Sequence, residues 1–371
     1  MRTKIKLYIA LLLPALLFFS ACKKDNNGDN TDNTFKPTPY EFKIPKGFPT
    51  NVNIPKDNPM TVEGVKLGHY LYYDERMSGK ADQGMGMSCS SCHIQKHSFE
   101  NGIGRATGTT GKKTHNVMLP HINLAWNPGT FGWNGSVPSI EDDIYGVITD
   151  PAEFASTWED VIKAIKAVPE YPPMFKAAFG TEDITKERIA KAIAQFVRTL
   201  VSSDSKFDRY LRGEENFTAS ERRGLVLFTT EAGADCFHCH GAPGNPLMTT
   251  NLFYNNAKDS VFPMTDDRYS VTGDPRDIGA YKATTLRNIE KTGPYMHDGR
   301  FKTLDEVIDF YSEGLVYSKY VNPLMHKVFP PYGHGAALNP QQKADLKAFL
   351  LTLTDTVYLN NPAYGNPFTS K

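Results

Sequence analysis

The sequence carries no excess of either charge: over 371 residues, lysine plus arginine and aspartate plus glutamate each number 41. That balance leaves no global field to draw the chain onto nucleic acid or an anionic membrane surface, so partners have to be argued from local sites. Long apolar runs are equally scarce. The one at Leu7 to Phe19 is too short to span a bilayer comfortably, and nothing after it is apolar enough to cross one. Sustained strand-type alternation is rare, and cysteine is limited to five residues. Hydrophobic residues nevertheless make up 40% of the chain and aromatics 12%. That is enough for two domains of ordinary size, each with its own core, and it excludes disorder for the bulk.

Arg2, Lys4 and Lys6, the apolar run and then Ser20-Ala21-Cys22 read as an export signal. Small residues directly before a cysteine resemble a lipoprotein cleavage site. Residues 1–21 would then be the leader and Cys22 the acylated first residue, with simple cleavage nearby or an uncleaved anchor as alternatives. Residues 22–45 read as a flexible tether, since Lys23 to Thr34 is rich in asparagine and aspartate and has nothing to bury. The expected location is periplasm-facing, with membrane contact only through the lipid.

The other four cysteines fall as Cys89-Ser90-Ser91-Cys92-His93 and Cys236-Phe237-His238-Cys239-His240. Exported cysteines form disulfides by default, but that reading does not explain a histidine after both pairs. With ten histidines in the chain, chance placement is on the order of one in a thousand. Attachment of haem c explains the spacing: two thiols three positions apart add to two vinyl groups, and the next residue sets an imidazole beneath the iron. His93 and His240 are then proximal ligands. Zinc is the weaker alternative, because the histidines directly follow the pairs.

The expected fold is mainly α, with two cytochrome c-like haem domains at residues 46–205 and 206–371. Ile184 to Val201 has apolar residues at Ile189, Ile193, Phe196 and Leu200 with charges between them, an amphipathic helix pattern. Thr218-Ala219-Ser220-Glu221, Thr303-Leu304-Asp305-Glu306 and Asn339-Pro340-Gln341-Gln342 look like capped helix starts, with Gly314 as a stop. Long loops rich in glycine, threonine and asparagine, such as residues 102–116 and 245–281, fit a core organised by a bound group.

Thr285-Leu286-Arg287-Asn288, Pro294-Tyr295-Met296-His297-Asp298-Gly299 and Phe131-Gly132-Trp133-Asn134-Gly135 resemble the bacterial di-haem cytochrome c peroxidases and MauG, from about Pro55 to Asp355. The resemblance implies two helical haem domains with a calcium ion between them, peroxide chemistry at the N-terminal haem and electron handling at the C-terminal one. It places Glu153 where the family keeps an acid–base carboxylate, and Trp133 between the haems. His297 falls near the inter-haem region, and the calcium ligands fall on the Asn116 side chain and the Thr292 and Pro294 carbonyls. Read without the resemblance, Glu153 is a solvated first-turn residue, Trp133 a core aromatic and Asn116 a loop asparagine.

This sequence departs from the family pattern in several places. Asp143 and Val147 stand where glutamine and proline are usual, and Asn134 stands where aspartate is. The loop from Gly104 to Gly111 lacks the displaceable histidine of many peroxidases. The N-terminal haem is therefore expected to be five-coordinate without prior reduction, with His115 a rival ligand. Fourteen residues after His297, where the peroxidases place methionine, stands Tyr311, as in MauG. A phenol ligand favours ferric and higher states, where a thioether favours ferrous iron. Ala234 stands where MauG has a surface tryptophan.

The expected activity is reduction of hydrogen peroxide, with a small periplasmic cytochrome c or cupredoxin as donor. The alternatives are a MauG-like oxidase acting on a protein or small molecule, and a non-catalytic electron carrier.

Overall fold

The computed structural model describes residues 35–369. The leader, Cys22 and the chain to residue 34 lie outside them. Among the described residues, 36–369 belong to one compact unit. The tether expected to reach residue 45 ends earlier, because backbone bonds already fasten the chain there. Tyr40 N donates to Met60 O at 3.0 Å, and Val62 N donates to Thr38 O at 2.9 Å.

Eight helices of nine residues or more carry the fold among the described residues: α1 (Val62–Tyr73), α2 (Ile140–Thr149), α3 (Trp158–Lys166), α4 (Tyr171–Phe179), α5 (Lys186–Arg198), α6 (Ala219–Thr229), α7 (Leu304–Glu313) and α8 (Pro340–Leu351). The described sheet is one antiparallel pair, β1 (Phe253–Tyr254) with β2 (Tyr281–Lys282), in which Tyr254 faces Tyr281. The capping signals hold. Thr218 with Glu221 and Asn339 with Gln342 form reciprocal capping boxes, and Thr303 accepts from Glu306 N. Each side-chain oxygen satisfies an amide that the first helical turn leaves without a partner. The amphipathic stripe of α5 is buried throughout, at Ile189, Ile193 and Phe196, and Leu200 just beyond the helix end is buried too.

One core gathers α1 to α5 around Leu71, Phe175, Ile193 and Phe196. A second gathers α6, α7 and α8 around Phe207, Phe228, Ile308 and Phe349. The first core also takes in Tyr358 and Leu359 from near the chain end, so the C-terminal segment returns to the N-terminal half. Two buried ion pairs brace the frame. Arg198 grips Glu141 through both terminal guanidinium nitrogens, at 2.8 and 2.9 Å. Arg287, fully buried, does the same to Asp208, with Nη1 2.9 Å from Oδ1 and Nη2 on Oδ2.

Helices α6 and α8 cross at Gly224, where a Cβ would run into the carbonyl oxygen of Asp345 and the Phe349 side chain. Gly146 in α2 has open space in that direction. Gly224→Ala is expected to lower stability by about 1–3 kcal/mol through overpacking. Gly146→Ala should raise it by up to about 1 kcal/mol through helix propensity. Urea denaturation of the two holoproteins checks the contrast.

Candidate functional site

The two Cys-x-x-Cys-His segments take the same local shape. Each contains a short helical turn, Cys89–Cys92 and Phe237–His240. His93 N bonds back to Cys89 O at 2.9 Å, and His240 N to Cys236 O at 3.1 Å. Each imidazole then meets a backbone carbonyl through Nδ1: His93 with Phe99 O at 2.7 Å and His240 with Thr284 O at 3.1 Å. A carbonyl only accepts, so Nδ1 carries the proton and Nε2 keeps its lone pair. Burial pushes both rings down to about 4, leaving them neutral, as a metal ligand must be. Neither cysteine pair is joined as a disulfide, which leaves all four sulfurs available for attachment.

Each triad borders a cavity. The first, about 810 Å³, is also lined by Asp143, Val147, Glu153 and Trp133. The second, about 220 Å³, is lined by Met296, His297, Tyr311 and again Trp133. Folded interiors rarely keep voids larger than a water molecule. Two such cavities, each walled by a thiol pair and a neutral imidazole, fit a group bound through sulfur and coordinated through nitrogen.

In the first cavity Glu153 is raised to about 7 by burial, then by the charges of Asp143 and Asp150. Asp143, exposed along one side, is raised to about 6 by desolvation from the chain packed around it. The histidine-free loop packs directly behind Glu153: Thr109 N donates to Glu153 O at 2.8 Å, and Thr109 Oγ1 to Phe154 O at 2.6 Å. His115 is 72% exposed and pairs with Asp266 at 3.1 Å. His121 lies against His93, ring on ring at 3.7 Å, with its Nδ1 3.0 Å from the Tyr72 hydroxyl. That stacked partner was not singled out from sequence, where nothing but the fold brings residues 93 and 121 together.

Trp133 sits between the cavities. Its Nε1 donates to Val117 O at 2.8 Å, and Val117 N in turn donates to His297 O at 2.9 Å. His297 meets the Trp133 ring edge-on at 6.3 Å. Burial first, and then the Lys258 charge, lower His297 to about 4. Tyr311 turns its hydroxyl to Asn256 Nδ2 at 3.1 Å, and the same amide lies 3.6 Å from Met296 Sδ. Asn256 is a second residue that sequence reasoning missed. Burial raises the Tyr311 phenol, while the Asn256 hydrogen bond opposes the shift.

For a cation, the telling atom is Asn116 Oδ1, buried without a hydrogen-bond partner. An oxygen in that condition suits a hard cation, and Thr292 and Pro294 carbonyls would add neutral donors. Among the described residues no cluster of three or more His, Cys, Asp or Glu side chains is arranged to hold a metal.

Residues 62–216 match the family described as Di-haem cytochrome c peroxidase. Over 307 residues, 82% of each chain, the sequence is 33% identical to the Methylamine utilization protein MauG of Methylorubrum extorquens. The chain belongs to the di-haem cytochrome c peroxidase and MauG family. It is 34% identical to the Cytochrome c551 peroxidase of Nitrosomonas europaea over 257 residues, 68% of this chain and 73% of that one. The crystal structure of a MauG-like protein associated with microbial copper homeostasis superposes with a TM-score of 0.79 at 34% identity, covering 89% of this chain and 99% of that one. Family membership implies two haem c groups, and the two cavities give them room.

A pyridine haemochrome assay of the purified protein is expected to return two haem c per chain, as the family implies. Cys236→Ala with Cys239→Ala should halve the absorbance, and an unchanged value would remove the second attachment site.

Proposed function

We propose that the protein reduces hydrogen peroxide to water in the first cavity, with electrons routed through the second cavity and Trp133. The observation that carries this reading is Glu153, a half-buried carboxylate raised to about 7 on the wall of the cavity that also holds His93. Haem held by Cys89, Cys92 and His93 would supply the iron that binds peroxide and the electrons that split it.

The chain's own part is proton management. Glu153, near half ionised at neutral pH, takes a proton from the incoming peroxide oxygen and returns one to the departing oxygen, so that water leaves. Asp143 opposes ionisation of Glu153 and keeps it in the range where it can both accept and donate. His93 Nδ1, anchored to Phe99 O, fixes the orientation of the ligating ring. The histidine-free loop behind Glu153 supports a vacant coordination face without prior reduction. Export with a lipid at Cys22, a calcium ion at Asn116, Thr292 and Pro294, and a small cytochrome c or cupredoxin donor complete this reading.

A MauG-like oxidation of an organic or protein donor is the second reading, and Tyr311 favours it. A phenol ligand on the His240 haem, hydrogen-bonded by Asn256, would hold that centre at low potential and make it a poor acceptor from ordinary cytochromes.

Two measurements test these roles. Peroxide turnover should rise with pH through an inflection near 7, as Glu153 becomes a base. Glu153→Gln should remove the inflection and cut turnover about 10²- to 10⁴-fold with unchanged haem content; undiminished turnover removes Glu153 from the mechanism. Tyr311→Met should raise the reduction potential of one haem in a potentiometric titration, and an unmoved potential removes Tyr311 as a ligand.

A further inference from the structure

Beside the inter-cavity tryptophan runs a chain of aromatic and acidic groups that the peroxidase reading does not use. The Tyr281 ring lies flat on His297, with centroids 3.6 Å apart and planes within 11°. His297 in turn meets Trp133 edge-on at 6.3 Å. The next residue, Lys282, donates its backbone N–H to Trp133 O at 2.8 Å, so β2 and the tryptophan loop are fixed to one another. Away from the cavity, Tyr281 Oη donates to Asp266 Oδ1 at 2.9 Å. The other carboxylate oxygen, Oδ2, holds His115 Nε2 at 3.1 Å. Side-chain exposure climbs from 17% at Asp266 to 72% at His115.

Asp266 is aimed by its neighbour. Asp267, buried, accepts Gly279 N at 2.7 Å through Oδ2 and so clamps the loop to the approach of β2. The row therefore runs from the inter-cavity tryptophan to solvent with a phenol in the middle and a base on its hydroxyl.

We propose that Tyr281 is a redox-active relay that passes an electron inward through His297 and Trp133 while its phenolic proton moves to Asp266. The proposal rests on the peroxide reading above, because hydrogen peroxide supplies the oxidising equivalents. Reduction of one peroxide to two waters takes up two electrons and two protons, and Tyr281 provides one of those electrons. Its O–H bond breaks, the proton bonds to Asp266 Oδ1, and a neutral tyrosyl radical remains. A phenol or hydroquinone arriving from solvent returns one electron while the Asp266 proton moves back to the phenolic oxygen, restoring Tyr281 and ionised Asp266, and the donor's own proton is released to solvent. A second turn of the relay supplies the other electron, so the two protons released match the two that the waters take up.

Two features separate this from a merely structural Tyr–Asp hydrogen bond. The ring is in van der Waals contact with an imidazole that is itself against Trp133, so the electron crosses contacts rather than solvent. Burial and the Asp266 carboxylate also hold the phenol above its ordinary range. Loss of the proton ahead of the electron is therefore disfavoured, and a joint departure with an acceptor already at 2.9 Å is the open course.

The test is freeze-quench electron paramagnetic resonance of the di-haem holoprotein mixed with hydrogen peroxide. The wild type is expected to show a tyrosyl signal that narrows with ring-deuterated tyrosine. Tyr281→Phe keeps the ring stack and should lose the signal, while the ferric haem spectra still respond to peroxide. Asp266→Asn keeps an acceptor but not a base, and should slow its appearance about tenfold or more. Tyr254→Phe, across the strand pair, should retain it. A signal undiminished in Tyr281→Phe, or none in wild type whose haems do react, overturns the relay alone. Haem spectra unmoved by peroxide overturn both the relay and the peroxidase reading.

Discussion

A guanidinium sealed from water holds the two halves of the molecule in register. Arg287 spends its nitrogens on Asp208, on Pro246 O and on Ser202 Oγ, drawing together the segment between the cores and the loop that follows the second haem motif. Its neighbour Asn288 reaches Ser98 in the loop after the first motif and accepts from Asp355 N. Asp355 closes the circle by accepting from Ser202 Oγ, Ser203 N and Asp204 N. A charge buried this deeply is tolerated only when every donor is met, and removing one partner of such a pair typically costs about 3–5 kcal/mol. The network therefore fixes the distance between the two haem motifs as well as the fold.

That fixed distance is what gives Trp133 meaning. The residue is pinned at its ring Nε1 by Val117, at its backbone carbonyl by Lys282, and against its ring by His297. Three separate stretches of chain meet on one residue, so the walls that the two cavities share are tied to one another. An electron path through a position held this way has a constant length, which suits transfer between two centres better than a mobile aromatic would.

Much of this was legible in the order of residues. Both haem motifs are local, since two thiols and an imidazole within five positions need only one helical turn to face the same way. The helix starts at Thr218, Thr303 and Asn339 were legible for the same reason, because a cap and its partner lie three residues apart. His121 against His93, Asn256 against Tyr311 and Asp266 against Tyr281 were not. They join residues separated by 15 or more positions with no periodicity between them, and only the packing of irregular loops brings them together. The return of Tyr358 and Leu359 to the first core was hidden likewise, since an apolar pair near a chain end carries no address.

The seat of the histidine-free loop behind Glu153 has a consequence for how such proteins diversify. A Cβ at Gly108 would fall on the carbonyl oxygens of Ala152 and Glu153, so this loop lies against the backbone that carries the carboxylate with no room for a side chain. A segment wedged so closely cannot swing away without dragging residue 153 with it. The seat of this loop and the placement of Glu153 are thus mechanically coupled, and a lineage that put a side chain at position 108 would have to rebuild the backbone at 152 and 153 at the same time.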